Sequence, residues 1–283
     1  MNGNTQKKSL RADPFSLVMR VLVWGAALLT AGVLLALIAY ILIRGVPNLK
    51  LSLFELEYNS ENVSMFPSIV MTINMTVLTL IITTPLGIGC AIYLTEYAKR
   101  GNKVVEVIRL AAETLSGIPS IVYGLFGMLF FVTALQRKNS ILAGSCTLAI
   151  MVLPLIIRST EEALKSVPDS YREASFGLGA GKLRTVVRVV LPPAMPGIVA
   201  GVILAVGRIV GETAALIYTA GTVAKITINP MESARTLAVH MYALSSEGLH
   251  TNEAFATGVV LLLVMLMLNA TSNAIAKRIT KGK

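Results

Sequence analysis

The chain has 283 residues, 54% of them hydrophobic and only 14% charged, with a mean hydropathy of +0.72. Water-soluble domains carry about 25% charged residues, so this composition excludes an ordinary soluble globule and points to a chain built for lipid. The net charge of +10 raises nucleic acid as a partner, but no basic-aromatic stripe runs through the sequence and the positive residues flank apolar runs, which is the pattern of membrane topology.

In chain order, a charge-free run over 21–43 predicts a first membrane helix at about 18–43. It is too long for a signal-peptide core and shows no convincing cleavage site, so it reads as an uncleaved span. Residues 1–66 then comprise a tail, this helix and an outer segment from 44. The main membrane body covers 67–276, followed by a tail at 277–283. Charge-free runs over 62–95, 114–136, 139–157 and 254–276, with a run over 195–219 broken only by Arg208 and Glu212, complete the set. Each holds the ~20 apolar residues that cross a hydrocarbon core. The expected spans are 68–95, 117–136, 140–158, 197–219 and 255–276, with the first turns of the long second run outside.

Lys and Arg set the orientation. With the N-terminus cytoplasmic, inner segments hold 18 of the 25 basic residues, among them Lys7, Lys8, Arg11, Arg100, Arg109 and Arg158, and both termini fall inside. Cys90 and Cys146 sit in spans as small apolar residues, while His240 and His250 are the only histidines, so neither a disulfide nor a metal site is expected. Val104–Ser116 mixes Val105, Ile108 and Leu110 with Glu106, Arg109 and Glu113, which predicts an interfacial helix with an Arg109–Glu113 pair. In the outer loop 220–254, Pro230 precedes a helix expected over Met231–Leu244, which caps a pore, meets an outer partner or packs on its own bundle.

The polar stretch 159–193 has its own logic. Pro168-Asp169-Ser170 ends one helix and starts another, and Ser170 with Glu173 has the spacing of a capping box. Gly177, Gly179 and Gly181 release the backbone before a basic helix from Lys182 to Val190, which Pro192-Pro193 should stop. A helix–turn–helix with Tyr171 and Glu173 on an exposed knuckle follows. Gly179-Ala180-Gly181-Lys182 mimics a phosphate-binding loop, but Phe176 and Leu183 occupy the positions that need Gly and Ser or Thr, so ATP binding by this chain is not expected.

Arg208 lies ~18 Å along its helix from Pro196, near mid-bilayer. A charge there costs at least ~2.5–3.5 kcal/mol unless it finds a partner or water. Glu212, one turn on, offers an easy pair. The two residues are either an internal neutralised pair or part of a pathway in which the planar guanidinium suits a tetrahedral oxyanion. Arg158 is either an inside anchor or a second pathway cation.

The 159–193 stretch resembles the signature of the membrane subunits of ATP-binding-cassette importers: E-A-A, three residues, Gly, nine residues, I-x-L-P. It stands here as Glu173-Ala174-Ser175, Gly179 and Val189-x-Leu191-Pro192. Ser175 and Val189 are mild departures. Ser116-Gly117-Ile118-Pro119-Ser120-Ile121-Val122-Tyr123-Gly124, Arg158-Ser159-Thr160-Glu161-Glu162 and Gly211-Glu212-Thr213-Ala214-Ala215 are similar to phosphate-importer permeases, nearer the PstA type than the PstC type. The resemblance covers about residues 68–276. It implies an all-α polytopic membrane protein of six transmembrane helices with a cytoplasmic coupling helix.

It further implies a permease subunit, not an enzyme, that moves inorganic phosphate across the cytoplasmic membrane. Its implied partners are a PstC-type permease, two PstB-type ATPases that use ATP and Mg, and an outer PstS-type phosphate-binding protein. Tyr171, Glu173, Ala174, Ser175, Gly179, Leu191 and Pro192 would couple to the ATPase, and Arg208, with Glu212 beside it, would line the phosphate path. The remaining alternatives are another oxyanion cargo (sulfate, molybdate or phosphonate) or an ion-coupled carrier in which Arg208 and Glu212 exchange ions.

Overall fold

A computed structural model describes residues 14–99 and 101–281. The expected tail cations Lys7, Lys8 and Arg11, together with Arg100 and Lys283, lie outside the described residues. Among the described residues every regular element is helical. Five helices are long and apolar enough to cross a bilayer, or six when one sharply bent pair counts as a span. That is what the backbone requires in lipid, because a helix satisfies its own N–H and C=O groups.

α1 (Pro14–Gly45) is apolar all round and stands at the edge, none of its most apolar stretch being buried. α2 (Phe66–Ile92) starts with Pro67 in its first turn and ends in a π-helical turn, Tyr93–Tyr97. Along its buried face Thr72, Thr76 and Thr83 donate to the carbonyls four residues back at 2.7, 2.7 and 2.8 Å, so these hydroxyls are satisfied without water. α3 (Lys103–Ser116) begins at Asn102, whose side chain accepts the Val104 N–H at 2.9 Å. It meets α4 (Ser120–Gly127), which runs on as a π turn to Ala134, at a bend of 106°. Pro119 lacks the donor a continuing helix would need, and Gly117 precedes it.

α5 (Ile141–Lys165) is the central rod, with 67% of its most apolar stretch buried. α2 and α8 (Leu191–Val210) pack against it, and Met71, Met75, Leu148, Met151, Ile156 and Ile209 form the shared core. Lipid tails are as apolar as leucine, so close packing rather than burial holds such rods together. Small residues make that contact possible. A Cβ at Gly201 of α8 would overlap the Ser159 side chain, and one at Gly124 of α4 would come within 2.8 Å of the Ala215 Cα.

α6 (Asp169–Gly177) and α7 (Lys182–Thr185) form a hairpin at one end of the bundle. The expected stop at Pro192-Pro193 is not made. α7 passes through a π turn, Val186–Val190, straight into α8, giving one rod from Lys182 to Val210. Prolines in the first turn of α8 need no N–H partner once the widened turn precedes them. The expected capping box is also absent. α6 starts at Asp169 after Pro168, which puts Ser170 inside the first turn with no side-chain cap.

The fifth expected span differs again. The run expected over 197–219 breaks at Gly211–Thr213 into α8 and α9 (Ala214–Thr219). The outer helix, α10 (Leu237–Glu247), begins six residues later than Met231, because Thr236 rather than Pro230 supplies its start by accepting the Val239 N–H. α10 ends at left-handed Gly248, and α11 (Thr251–Lys281) closes the chain against α1 and α10. His240 is wholly buried in α10, edge-on to the Tyr58 ring at 6.1 Å. Cys90 and Cys146 are free thiols.

Candidate functional site

Among the described residues, two places hold the side chains that the sequence singles out. The first is a cleft of about 490 Å³ walled by α3, α5 and α8. Arg109, Glu113 and Ser116 come from α3, Arg158, Glu161, Glu162 and Lys165 from α5, and Arg208 from the last turn of α8. The Gly117–Pro119 bend begins immediately beyond Ser116.

Four cations therefore face three carboxylates. Glu161 Oε1 pairs with both Arg109 Nη2 at 2.5 Å and Lys165 Nζ at 2.8 Å, as ion pairs rather than aligned hydrogen bonds. Arg158 Nε donates to Glu162 Oε1 at 3.1 Å, both side chains being about two-thirds exposed. The expected Arg109–Glu113 pair gives way to Glu161, which α5 presents across the cleft. Among the described residues Arg208 has no salt bridge.

The Arg208–Glu212 pair expected from helical spacing is not formed. α8 stops at Val210, so the two residues no longer share a helix face. Glu212 Oε1 instead accepts the Ala215 N–H at 3.0 Å and is 9% exposed, which makes it the start signal of α9. Arg208 and Arg158 share the cleft, and Glu212 does not line it. An unmatched guanidinium facing a cleft of this volume can receive an oxyanion through two parallel, charge-assisted hydrogen bonds. Irregular backbone at Gly211–Thr213, just past the end of the Lys182–Val210 rod, is tolerated where it is buried in protein or lines a water-filled cavity.

The second place is the α6–α7 hairpin. Tyr171, Glu173, Ala174 and Gly179 are exposed on its knuckle, and Gly179 has φ +79°, a conformation glycine adopts without strain. Phe176, Leu178 and Leu183 are exposed beside them, Leu178 at 89%. Ser175 faces inward, its hydroxyl 2.8 Å from that of Thr185, which ties the two limbs together. Leu191 packs against the buried cluster of Leu164, Val190 and Ile198, with half-buried Pro192 beside it. The seven motif residues thus divide into four that face out and three that set the hairpin's shape.

Sequence reasoning missed Arg172. Its Nε reaches both oxygens of Glu96 at 3.1 and 3.2 Å, and Nη2 reaches Glu96 Oε1 at 2.7 Å. Nη2 also donates to the Leu164 carbonyl at 2.9 Å, and Nη1 donates to the Val167 carbonyl at 2.8 Å and Asp169 Oδ1 at 3.1 Å. Its pKa is raised above the usual arginine value, chiefly by the Glu96 hydrogen bond. Glu96 is distant in sequence and lies in a different helix, so no local spacing could show the pair.

The family model described as binding-protein-dependent transport system inner membrane component matches residues 83–282. The chain belongs to this family. It is a multi-pass inner-membrane permease component of an ATP-binding-cassette importer. It is 35% identical to a Bacillus subtilis (strain 168) protein named "Probable ABC transporter permease protein YqgI", over 90% of this chain and 92% of that one. It is 40% identical to "Phosphate transport system permease protein PstA 1" of Mycobacterium tuberculosis (strain CDC 1551 / Oshkosh), over 50% of this chain and 46% of that one. It is 42% identical to the PstA of Yersinia pestis over 49% of this chain and 46% of that one. The chain spans about half the length of these PstA relatives.

Solved structures agree on the fold. The methionine importer MetNI superposes with a TM-score of 0.60 at 20% identity, covering 86% of this chain and 98% of that one. A bacterial alginate importer in complex with a pentasaccharide-bound periplasmic protein gives 0.64 at 16% identity, covering 95% and 98%. At these identities the likeness is one of fold alone.

Proposed function

We propose that this permease is one of two membrane subunits of an ATP-driven importer of inorganic phosphate. The observation that carries the reading is Arg208, the cleft cation without a carboxylate partner among the described residues. Identity of 40–42% to PstA proteins over half the chain supports phosphate as the cargo. The name of YqgI states no substrate.

In this reading both termini are cytoplasmic and the α6–α7 hairpin projects into the cytoplasm as the coupling helix. Two ATPase subunits of the PstB type, which bind ATP and Mg, dock on the exposed knuckles of this chain and of a PstC-type partner. A PstS-type binding protein delivers phosphate at the opposite end. Nucleotide binding favours one state of the assembly and hydrolysis the other, so the hairpins shift the equilibrium between outward and inward openings. Phosphate passing the cleft meets the Arg208 fork, while the carboxylates of Glu161 and Glu162 hold the remaining cations in place and limit how tightly the anion is retained. No bond in phosphate is made or broken, so the chain transports and does not catalyse.

The test is proteoliposomes holding both permeases and the ATPases, supplied with the binding protein on one face. Phosphate accumulation that requires ATP, and that sulfate, molybdate and phosphonates fail to compete, is the expected result. Accumulation driven by an ion gradient through this chain alone would contradict it. Stronger competition by another oxyanion would reassign the cargo.

A further inference from the structure

The hairpin is gripped at one point by both of its limbs. Arg172 of α6 spends all five of its N–H donors on Glu96, Asp169 and the carbonyls of Leu164 and Val167. Arg172 is 13% and Glu96 8% exposed at the side chain, so the pair is held in place by its surroundings. Lys182, at the start of α7, places its ammonium 5.1 Å from the centre of the Tyr97 ring. Glu96 and Tyr97 both belong to the π turn that ends α2. The glycines leave the tip free to bend, while the Arg172 and Lys182 contacts tie each limb to this turn.

α2 then runs the depth of the bundle, about 40 Å for its 27 residues. Its far end is latched too. Thr72 Oγ1, 1% exposed, accepts the N–H of wholly buried Leu237 at 2.8 Å, in the first turn of α10. The α10 start is thereby joined to the rod whose other end holds the hairpin.

We propose that α2 is a transmission rod that carries the displacement of the α6–α7 hairpin to the opposite mouth of the permease, with Glu96–Arg172 as its near latch and Thr72–Leu237 as its far latch. This rests on the importer reading above, which supplies the driving ATPase. Glu96, Arg172 and Thr72 are positioning residues: none lines the Arg208 cleft, and each acts by fixing one helix to another. A pair that only stabilised the fold would leave the work done per nucleotide unchanged; a transmission pair changes that ratio.

The experiment uses the full complex in liposomes with inorganic phosphate as the probe, and reads ATPase co-purification, ATP hydrolysis and phosphate moved per ATP. Glu96→Gln should retain the co-purified ATPase and its hydrolysis, while phosphate moved per ATP falls about tenfold, within the range of a lost coupling between two sites. Glu96→Asp, which keeps the charge, should recover most of the ratio. Thr72→Val, nearly isosteric and remote from the hairpin, should lower the same ratio and carries the test if Glu96→Gln fails to assemble.

An unchanged ratio in Thr72→Val and in Glu96→Gln would overturn the rod. Loss of co-purified ATPase from a Glu96→Gln permease that still inserts and pairs would overturn it as well, by tying the Glu96–Arg172 pair to ATPase docking rather than to transmission. A wild-type complex that accumulates no phosphate on ATP addition would instead overturn the importer reading, and this inference with it.

Discussion

Arg172 and Arg208 carry the same guanidinium in opposite circumstances. Arg172 is enclosed by a carboxylate on one side and two helix-end carbonyls on the other, with every donor engaged. Arg208 opens on a cleft whose other cations are matched by Glu161 and Glu162. A saturated arginine is a fastener, since moving it breaks several charge-assisted bonds at once. An unmatched one beside a cavity is a receptor, because its electrostatic demand is met only when an anion arrives. In the proposed mechanism the same contrast separates the two ends: rigid where the ATPase would push, unfilled where the anion would pass.

The contrast can be broken at its rigid end first. Arg172→Ala removes five donors and leaves Glu96 buried without its partner, so the hairpin should lose about 3–5 kcal/mol of local stability. Limited proteolysis within 166–190 in detergent, compared with the wild type, reads this loss directly. Equal protection in the two proteins would show that α6 is held by something other than Arg172.

A smaller effect is expected on the exposed face of the same helix. Glu173→Lys changes no internal contact, so insertion and folding should persist while the yield of co-purified ATPase drops several-fold, in line with ~1 kcal/mol lost at an exposed charged contact. An unchanged yield would remove the knuckle from the docking surface. Smallest of all is Arg158→Gln. Its pair with Glu162 is solvent-exposed, and such pairs are worth about 0.3–0.5 kcal/mol at i,i+4 spacing. A thermal midpoint within a degree or two of wild type is expected, and a large drop would mean that Arg158 is far more constrained than its exposure implies.

Much of the fold was legible in the sequence, because mid-membrane helices must be apolar over about 20 residues and that periodicity survives without tertiary information. α1, α2, α5 and α11 fall close to the expected spans, and α3 forms where Val105 and Ile108 alternate with Glu106 and Arg109. Hairpin and glycines were legible too, from Pro168 and the Gly177–Gly181 spacing. Helix irregularities were not. Pro192-Pro193 reads as a stop, yet the π turn over 186–190 removes the carbonyl clash and lets the rod continue. Glu212 reads as a partner of Arg208 only if the helix continues past Val210, and the break at Gly211 turns it into a start signal for α9 instead. Arg172–Glu96 and Arg109–Glu161 join different helices, so local spacing is silent about them. In the cleft, Arg208 was found by its type and depth and Arg158 by the stretch that carries the family resemblance, while the pairing of Glu161 with Arg109 and Lys165 appeared only once α3 and α5 were packed.

The central claim, that Arg208 meets the anion while the hairpin meets the ATPase, is tested most directly by measuring phosphate uptake and ATP hydrolysis together in the Arg208→Gln complex. Glutamine keeps an amide donor, so the net loss is one hydrogen bond to a charged group, ~1.5–3 kcal/mol or roughly 10–100-fold. Uptake should fall by that factor while the assembled complex keeps its ATPase activity. Uptake at the wild-type rate in that variant would contradict the account and reduce Arg208 to a packing residue.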